Sequence, residues 1–292
     1  MTMKKILLIS IFSVALICAC GNESRFVDPD ATGRLTTLKV PSHYPTIQAA
    51  IDSAKHGDSI LVADGFYDGA GNRNISTLGK TLIITSENGP LHTVIDCGGG
   101  LGESHAAFVF ENGQNNVVID GFTVVNGNNN NGGAIYCPNA SPTIRNCIFR
   151  NNNAPVSGGV VWIKGSNAAP VFINCTFVGN SSPAGAVMFL LAGASPQIRN
   201  CLFILNESQP IELRDNTCEP QFSCTDIWNN EMEDWNEDIA DWLNQNGNVS
   251  VDPLMCNPLE FDYRLQSGSP CLPENSECDS HIGAVAETCD PT

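Results

Sequence analysis

Basic residues are scarce in this chain. Fourteen Lys and Arg stand against 31 Asp and Glu in 292 residues, a formal net charge of −17. Neutralising phosphates takes clusters of Lys and Arg, so no nucleic acid partner is expected. Polyanionic chains are disfavoured without calcium, and the simplest role of the acidic surface is solubility through self-repulsion. Histidine is sparse too. His43, His56, His92, His105 and His281 are scattered through turn-like contexts, which suggests no histidine metal cluster. The only long apolar run lies in the first 19 residues and falls short of the roughly 20 that span a bilayer.

That run follows Lys4 and Lys5, so residues 1–19 read as a secretion signal. Ile17-Cys-Ala-Cys20 has the form of a lipobox, predicting cleavage before Cys20 and lipid modification of Cys20; an ordinary signal peptide containing cysteines is the alternative. Losing both lysines takes the net charge from −17 to −19. Gly21 rather than Asp after the cysteine fits sorting to a bacterial outer membrane, on its periplasmic or surface face. The lipid is then the only membrane contact, and residues 20–39 read as a flexible tether.

What the chain has in abundance is repetition. Pro142-Thr-Ile-Arg-Asn-Cys-Ile-Phe-Arg-Asn-Asn152 returns as residues 170–180 and again as 196–206, with Cys147, Cys175 and Cys201 at one position. A period of 26 to 28 residues marks a solenoid. Ile144 and Asn146 share one strand face, while Cys147 and Phe149 share a face in the opposite phase. For all four to point inward, the strand must break between 146 and 147 at a residue tolerant of left-handed backbone, as Asn is. Gly121 occupies that corner one coil earlier. Asn146, Asn174 and Asn200 are expected to stack as an interior hydrogen-bonded ladder, with Cys147, Cys175 and Cys201 as small apolar core residues and Cys224 extending their column.

A second strand lies upstream in each unit: Gly132-Gly-Ala-Ile-Tyr-Cys137, Gly158-Gly-Val-Val-Trp-Ile163 and Ala184-Gly-Ala-Val-Met-Phe189, continued by Ile211-Glu-Leu-Arg214. Seven or eight such coils at the strand spacing make a rod about 35 Å long.

The alternation of Gly-Gly-x-x (132–135, 158–161) with Phe-x-x-Asn (149–152, 177–180, 203–206) resembles the repeats of chlamydial polymorphic outer-membrane proteins. The opening segment, Val40-Pro-Ser-His-Tyr-Pro-Thr-Ile-Gln-Ala-Ala-Ile through Val62 and then Gly65-Phe-Tyr67, resembles the start of bacterial right-handed parallel β-helix proteins of the pectate-lyase-like superfamily. The resemblance covers about residues 40–285. It implies an all-β fold, a right-handed parallel β-helix over 40–250 with a Cys-rich C-terminal cap over 251–292. It says little about function, because one such fold hosts lyases, hydrolases and adhesins.

Both rod ends need covering against edge-to-edge pairing. Ile47, Ala50, Ile51 and Ala54 fall on one helical face, predicting a lid helix over 46–55. A second short helix is predicted over 236–243, capped by Asn236. Trp228, Trp235 and Trp242 are expected to pack this cap onto the rod rather than to form a sugar-stacking set. Beyond them, Cys256, Cys271, Cys278 and Cys289 allow three pairings; Cys271–Cys278 with Cys256–Cys289 is the preferred one. With both ends capped, the expected state is a monomer.

In pectate-lyase-like enzymes the substrate lies along the outer face of one sheet. Here the Gly-Gly strands are expected to turn Ile135, Val161, Val187, Ile211, Cys137, Ile163, Phe189 and Leu213 inward. Tyr136, Trp162, Met188 and Glu212 then point outward, beside Pro138, Lys164, Leu190 and Arg214, with Val109 and Glu111 heading the columns. Tyr136, Trp162, Met188, Lys164, Glu212 and Arg214 are therefore the candidate ligand-binding residues, for a polysaccharide or a surface protein; the tail or a loop folding over the stripe is the alternative. No catalytic residue is assigned. A calcium-dependent lyase needs converging carboxylates and a basic residue, and a β-helix glycosidase needs a close carboxylate pair. Lys164 or Arg214 with Glu212 is the nearest approach to a lyase. No cofactor is expected; the acidic run 231–241 is the only place for calcium, and it lacks the spacing and glycine of a calcium loop.

Overall fold

The computed structural model describes residues 35–100, 103–111 and 113–290. The expected leader, Cys20 and residues 20–34 of the tether lie outside the described residues. The tether ends sooner than expected, because Thr37–Val40 is already a strand paired with Ser59–Val62.

The chain winds as a right-handed parallel β-solenoid of about ten turns, more than the seven or eight expected. The first turns escape a search for repeats because they lack the Phe-x-x-Asn signature and their lengths are irregular. Thr37 pairs with Ser59, Ser59 with Ile83 and Ile83 with Val118.

Three parallel sheets form the walls. Sheet 1 contains eight strands among the described residues, including Thr143–Arg145, Val171–Ile173 and Gln197–Arg199. Sheet 2 contains seven, including Ile148–Arg150, Thr176–Val178, Leu202–Ile204 and Asp226–Trp228. Sheet 3 contains five: Phe108–Val109, Ile135–Pro138, Val161–Lys164, Met188–Leu191 and Ile211–Leu213. Identical positions of successive coils stack in register, so each inward column is continuous. Phe149, Phe177 and Phe203 are fully buried, with ring centroids 5.4 and 4.6 Å apart; each contributes roughly 1.5–3 kcal/mol by transfer from water.

The corner between sheets 1 and 2 forms as the sequence requires. Asn146, Asn174 and Asn200 have φ of 52°, 50° and 52°, and Gly121 has 81°. Their side chains, however, form no ladder. The Asn146 amide donates to Asp120 Oδ1 at 2.7 Å, Asn174 to the His281 carbonyl at 2.8 Å and Asn200 to the Ser280 carbonyl at 3.2 Å. The space inside the bend belongs to Cys147, Cys175 and Cys201, all fully buried. Cys224 does not extend that column. It takes the corner position (φ 48°), leaving the buried Thr225 beneath Cys201.

The ladder runs instead through the Phe-x-x-Asn position. Asn152 donates to Asn180, Asn180 to Asn206 and Asn206 to Asn230, at 3.1, 3.0 and 2.8 Å. Each acceptor oxygen also takes the backbone N–H of the preceding asparagine. The series ends at Asp234, whose carboxylate accepts from Asn229 N, Asn230 N and Asn230 Nδ2. A carboxylate suits that end, because it accepts without needing an acceptor of its own.

At the start, Ile47–Ser53 is helical, with Thr46 Oγ1 accepting from Ala49 N, and it buries Ile47, Ala50 and Ile51 against the first strands. At the far end the expected helix shrinks to one 3-10 turn, Ala240–Trp242, preceded by Asn236, whose Oδ1 accepts from Asp238 N. Trp235 and Trp242 close the last coil around Phe222 at 5.6 and 6.0 Å. Trp228 instead packs outside sheet 2.

The C-terminal segment meets the last coil at Cys224 and Gly247, but most of its packing lies elsewhere. It folds back along the outer face of sheet 2, where Met255, Tyr263, Leu265, Leu272, Ile282 and Val285 meet Ile148, Val178, Leu202 and Ile204 in a second apolar cluster. Gly283 N donates to Asn200 O at 2.9 Å and Ala284 N to Thr176 Oγ1 at 2.9 Å. The disulfides are Cys256–Cys289, as preferred, and Cys224–Cys278 in place of Cys271–Cys278. The path of the segment explains the exchange: it brings Cys278 to the Cys224 corner, while Cys271 stays a buried thiol.

Candidate binding face

Turn lengths decide which side chains the outer face of sheet 3 presents. Gly132, Gly158 and Gly185 are equivalent, with φ of 71°, 65° and 63° and the same close approach to the carbonyl three residues on. The sheet 3 strands thus step by 26 and then 27 residues, while the cysteine column steps by 28 and 26. The third strand is therefore displaced by one residue from the expected phase. Val161 pairs with Met188, Trp162 with Phe189, Ile163 with Leu190 and Lys164 with Leu191.

Met188 and Leu190 consequently point inward and are fully buried. Phe189 and Leu191 take the outward positions, where Phe189 is nonetheless buried and Leu191 half-buried, overturning the assignment of Met188 to the binding set. Val187 is buried in the turn equivalent to Val160 rather than in the Ile135 column. The outward column reads Val109, Tyr136, Trp162, Phe189, Glu212, and its neighbour reads Pro138, Lys164, Leu191, followed by Arg214. Ile211 and Leu213 hold the inward phase, with Leu213 half-buried.

Tyr136 and Trp162 stack, with centroids 5.0 Å apart and planes 7° from parallel. One face of each ring is thus turned to the other along the rod. Lys164 Nζ lies 5.9 Å from the Trp162 ring centroid, within reach of a cation–π contact. Glu212 accepts from Gln209 Nε2 at 3.0 Å, while the Arg214 side chain is exposed. The C-terminal segment packs on sheet 2 rather than on this stripe, in which Tyr136 and Trp162 are half-buried and Phe189 is buried.

The face does not assemble a reaction centre from the named residues. Glu212 stands two coils from Trp162, and Lys164 and Arg214 are likewise two coils apart. Among the described residues no three His, Cys, Asp or Glu side chains converge as a metal site. In the acidic run, Asp234 ends the asparagine ladder and Asp238 Oδ2 accepts from Leu213 N at 3.0 Å. Three of the histidines have local side-chain partners: His105 lies 3.1 Å from Glu103, His56 lies 3.2 Å from Thr81, and His281 packs against Asn174.

Two features escaped the sequence reading. Phe189 was hidden by the change in turn length. The other is Asp226, a fully buried carboxyl under the C-terminal segment. Burial pushes its pKa up to about 7, against hydrogen bonds from Val251 N at 3.1 Å and the Cys271 thiol at 3.4 Å. Burial and the neighbouring carboxyl raise Cys271 as well. Asp226 falls in a degenerate coil, where no repeat signature marks an outward position as covered.

The family described as "Right handed beta helix region" matches residues 92–251, more than half of the chain, and the chain belongs to that family. No curated protein matches it.

Proposed function

We propose that this right-handed β-helix protein is a non-catalytic cell-envelope module, anchored through a lipid on Cys20, that binds a partner along the outer face of sheet 3. The observation that carries this reading is the half-buried, stacked Tyr136–Trp162 pair, flanked by Lys164, on a face outside the apolar cluster that the C-terminal segment forms. Aromatic rings partly exposed on an outer sheet face are a mark of an interaction site. A protein surface suits it better than a sugar chain. A pyranose stacks on an open aromatic face, whereas one face of each of these two rings is already taken by the other.

Binding to surface-protein extracts and to a glycan array, compared between the unaltered chain and a Tyr136→Ala, Trp162→Ala variant, tests the assignment. Loss of a protein ligand in the variant supports it. Full retention of binding removes the site. The calcium-dependent polysaccharide lyase alternative rests on Lys164 or Arg214 acting with Glu212. It predicts unsaturated sugar products from uronic-acid polymers in the presence of calcium, and their absence from every polymer eliminates it.

A further inference from the structure

Asp226 is a buried acid without a counter-ion. It lies on the outer face of sheet 2, paired in register with Leu202, and is fully buried by the segment that follows residue 250. Its Oδ1 accepts from Val251 N at 3.1 Å and its Oδ2 lies 3.4 Å from Cys271 Sγ, both on that segment. None of the ion pairs among the described residues includes it. The charged groups facing it are Asp234, from the turn after its own strand, and Asp252, from the C-terminal segment; both are acidic. Leu202 and the loop 244–249 bring no titratable side chain, and the Cys224–Cys278 disulfide in the same cluster does not titrate.

A carboxylate sealed in apolar surroundings, with acidic neighbours and neutral donors, is costly to ionise. We propose that Asp226 is a proton-operated latch: its protonated carboxyl holds the C-terminal segment on sheet 2, and its ionisation loosens that segment. Two features keep the movement local. The Cys224–Cys278 bond ties the segment to the rod, and the Cys256–Cys289 bond joins its beginning to its end. The opening needed is only that of residues 251–253 and 269–272, which close over the carboxyl.

The sign follows from linkage. The opened segment exposes an ordinary aspartate, whereas the closed one binds the proton more tightly. Opening therefore becomes easier as pH rises from the ordinary aspartate value towards neutrality, and levels off above it. With values near 3.9 and about 7, opening rises roughly a hundredfold between pH 5 and pH 8.

The test is amide hydrogen exchange on the intact protein across pH 5 to 8, corrected for the intrinsic pH dependence of exchange. The Val251 and Cys271 amides should lose about a hundredfold in protection, while the Phe177 amide in the rod should not. In Asp226→Asn the dependence should vanish. Carbon-13 titration of the Asp226 carboxyl in the unaltered protein gives a reading that needs no variant and should show a midpoint near neutrality. A midpoint near the ordinary aspartate value, flat protection in the unaltered protein, or a dependence that persists in Asp226→Asn overturns the latch.

Discussion

The side-chain amide of Asn152 donates to Asn180 Oδ1, 3.1 Å away in the next coil, and the same oxygen accepts the Asn152 backbone N–H at 3.0 Å. Asn180 also donates to Phe149 O at 3.0 Å. Replacing Asn180 with Leu would therefore strand donors of Asn152 and an acceptor of Phe149 in a fully buried column. Unsatisfied buried groups cost about 1–3 kcal/mol each, and networks amplify the loss. The expected destabilisation is roughly 3–5 kcal/mol by denaturant unfolding. Asn174→Ala, which removes a side chain donating to the C-terminal segment, should cost less. Equal losses would mean that the ladder carries no special weight.

The acid side of the pH profile should be set by His281. Burial holds this histidine below its ordinary value of 6.5, so the folded segment disfavours the charged ring. The stability tied to its neutral form is present above about pH 6.5 and is lost as pH falls through the lowered folded value. His281 lies against Asn174, and its carbonyl accepts that side chain's amide. Exchange protection of the Gly283 amide, which donates to Asn200 O, should therefore fall on acidification. His281→Gln should flatten that limb while leaving the Asp226 limb in place.

Much of the rod was legible because each coil repeats a small vocabulary under strict steric demands. Asn at 146, 174 and 200 marks a left-handed corner, and Phe at 149, 177 and 203 marks the core. The ladder was misplaced because two asparagines recur per coil with the same period. Periodicity cannot tell which of them faces inward. The slip at Phe189 has a related origin: turns of unequal length absorb the difference between 26 and 27 residues, and in a strand one residue exchanges the two faces. The route of the C-terminal segment was not legible at all. It depends on the fit of Tyr263, Leu265 and Ile282 to the outside of sheet 2, and nothing local encodes that contact.

The disulfides should stabilise the segment rather than the rod. Cys256–Cys289 closes a separation of 33 residues, for which the chain-entropy estimate is about 3–4 kcal/mol. Each coil touches only its neighbours, so such a loss stays local. In a Cys256→Ser, Cys289→Ser variant, limited proteolysis should cut first within residues 251–290 and leave a resistant rod. Simultaneous degradation of the rod would show that the segment is integral to the stability of the solenoid.

The closeness of neighbouring coils can be tested at one atom. A Cβ on Gly159 would lie 2.1 Å from Ala186 O and 2.5 Å from Ser181 O, both backbone atoms of the next coil. Neither can swing aside as a long side chain would, and Gly159 N already donates to Gly185 O at 3.0 Å. Gly159→Ala should therefore force the coils apart at the place where Trp162 and Phe189 take up their register. The expected cost is at least about 3 kcal/mol, within the range of severe overpacking. Gly69→Ala meets nothing within 4 Å, so it carries only the strain of a left-handed φ of 71°, about 1–2 kcal/mol. Thermal unfolding of the two variants should separate them clearly. If Gly159→Ala were the milder change, the coils would have to be able to part without loss, and the aromatic stripe could not be a rigid feature of the fold.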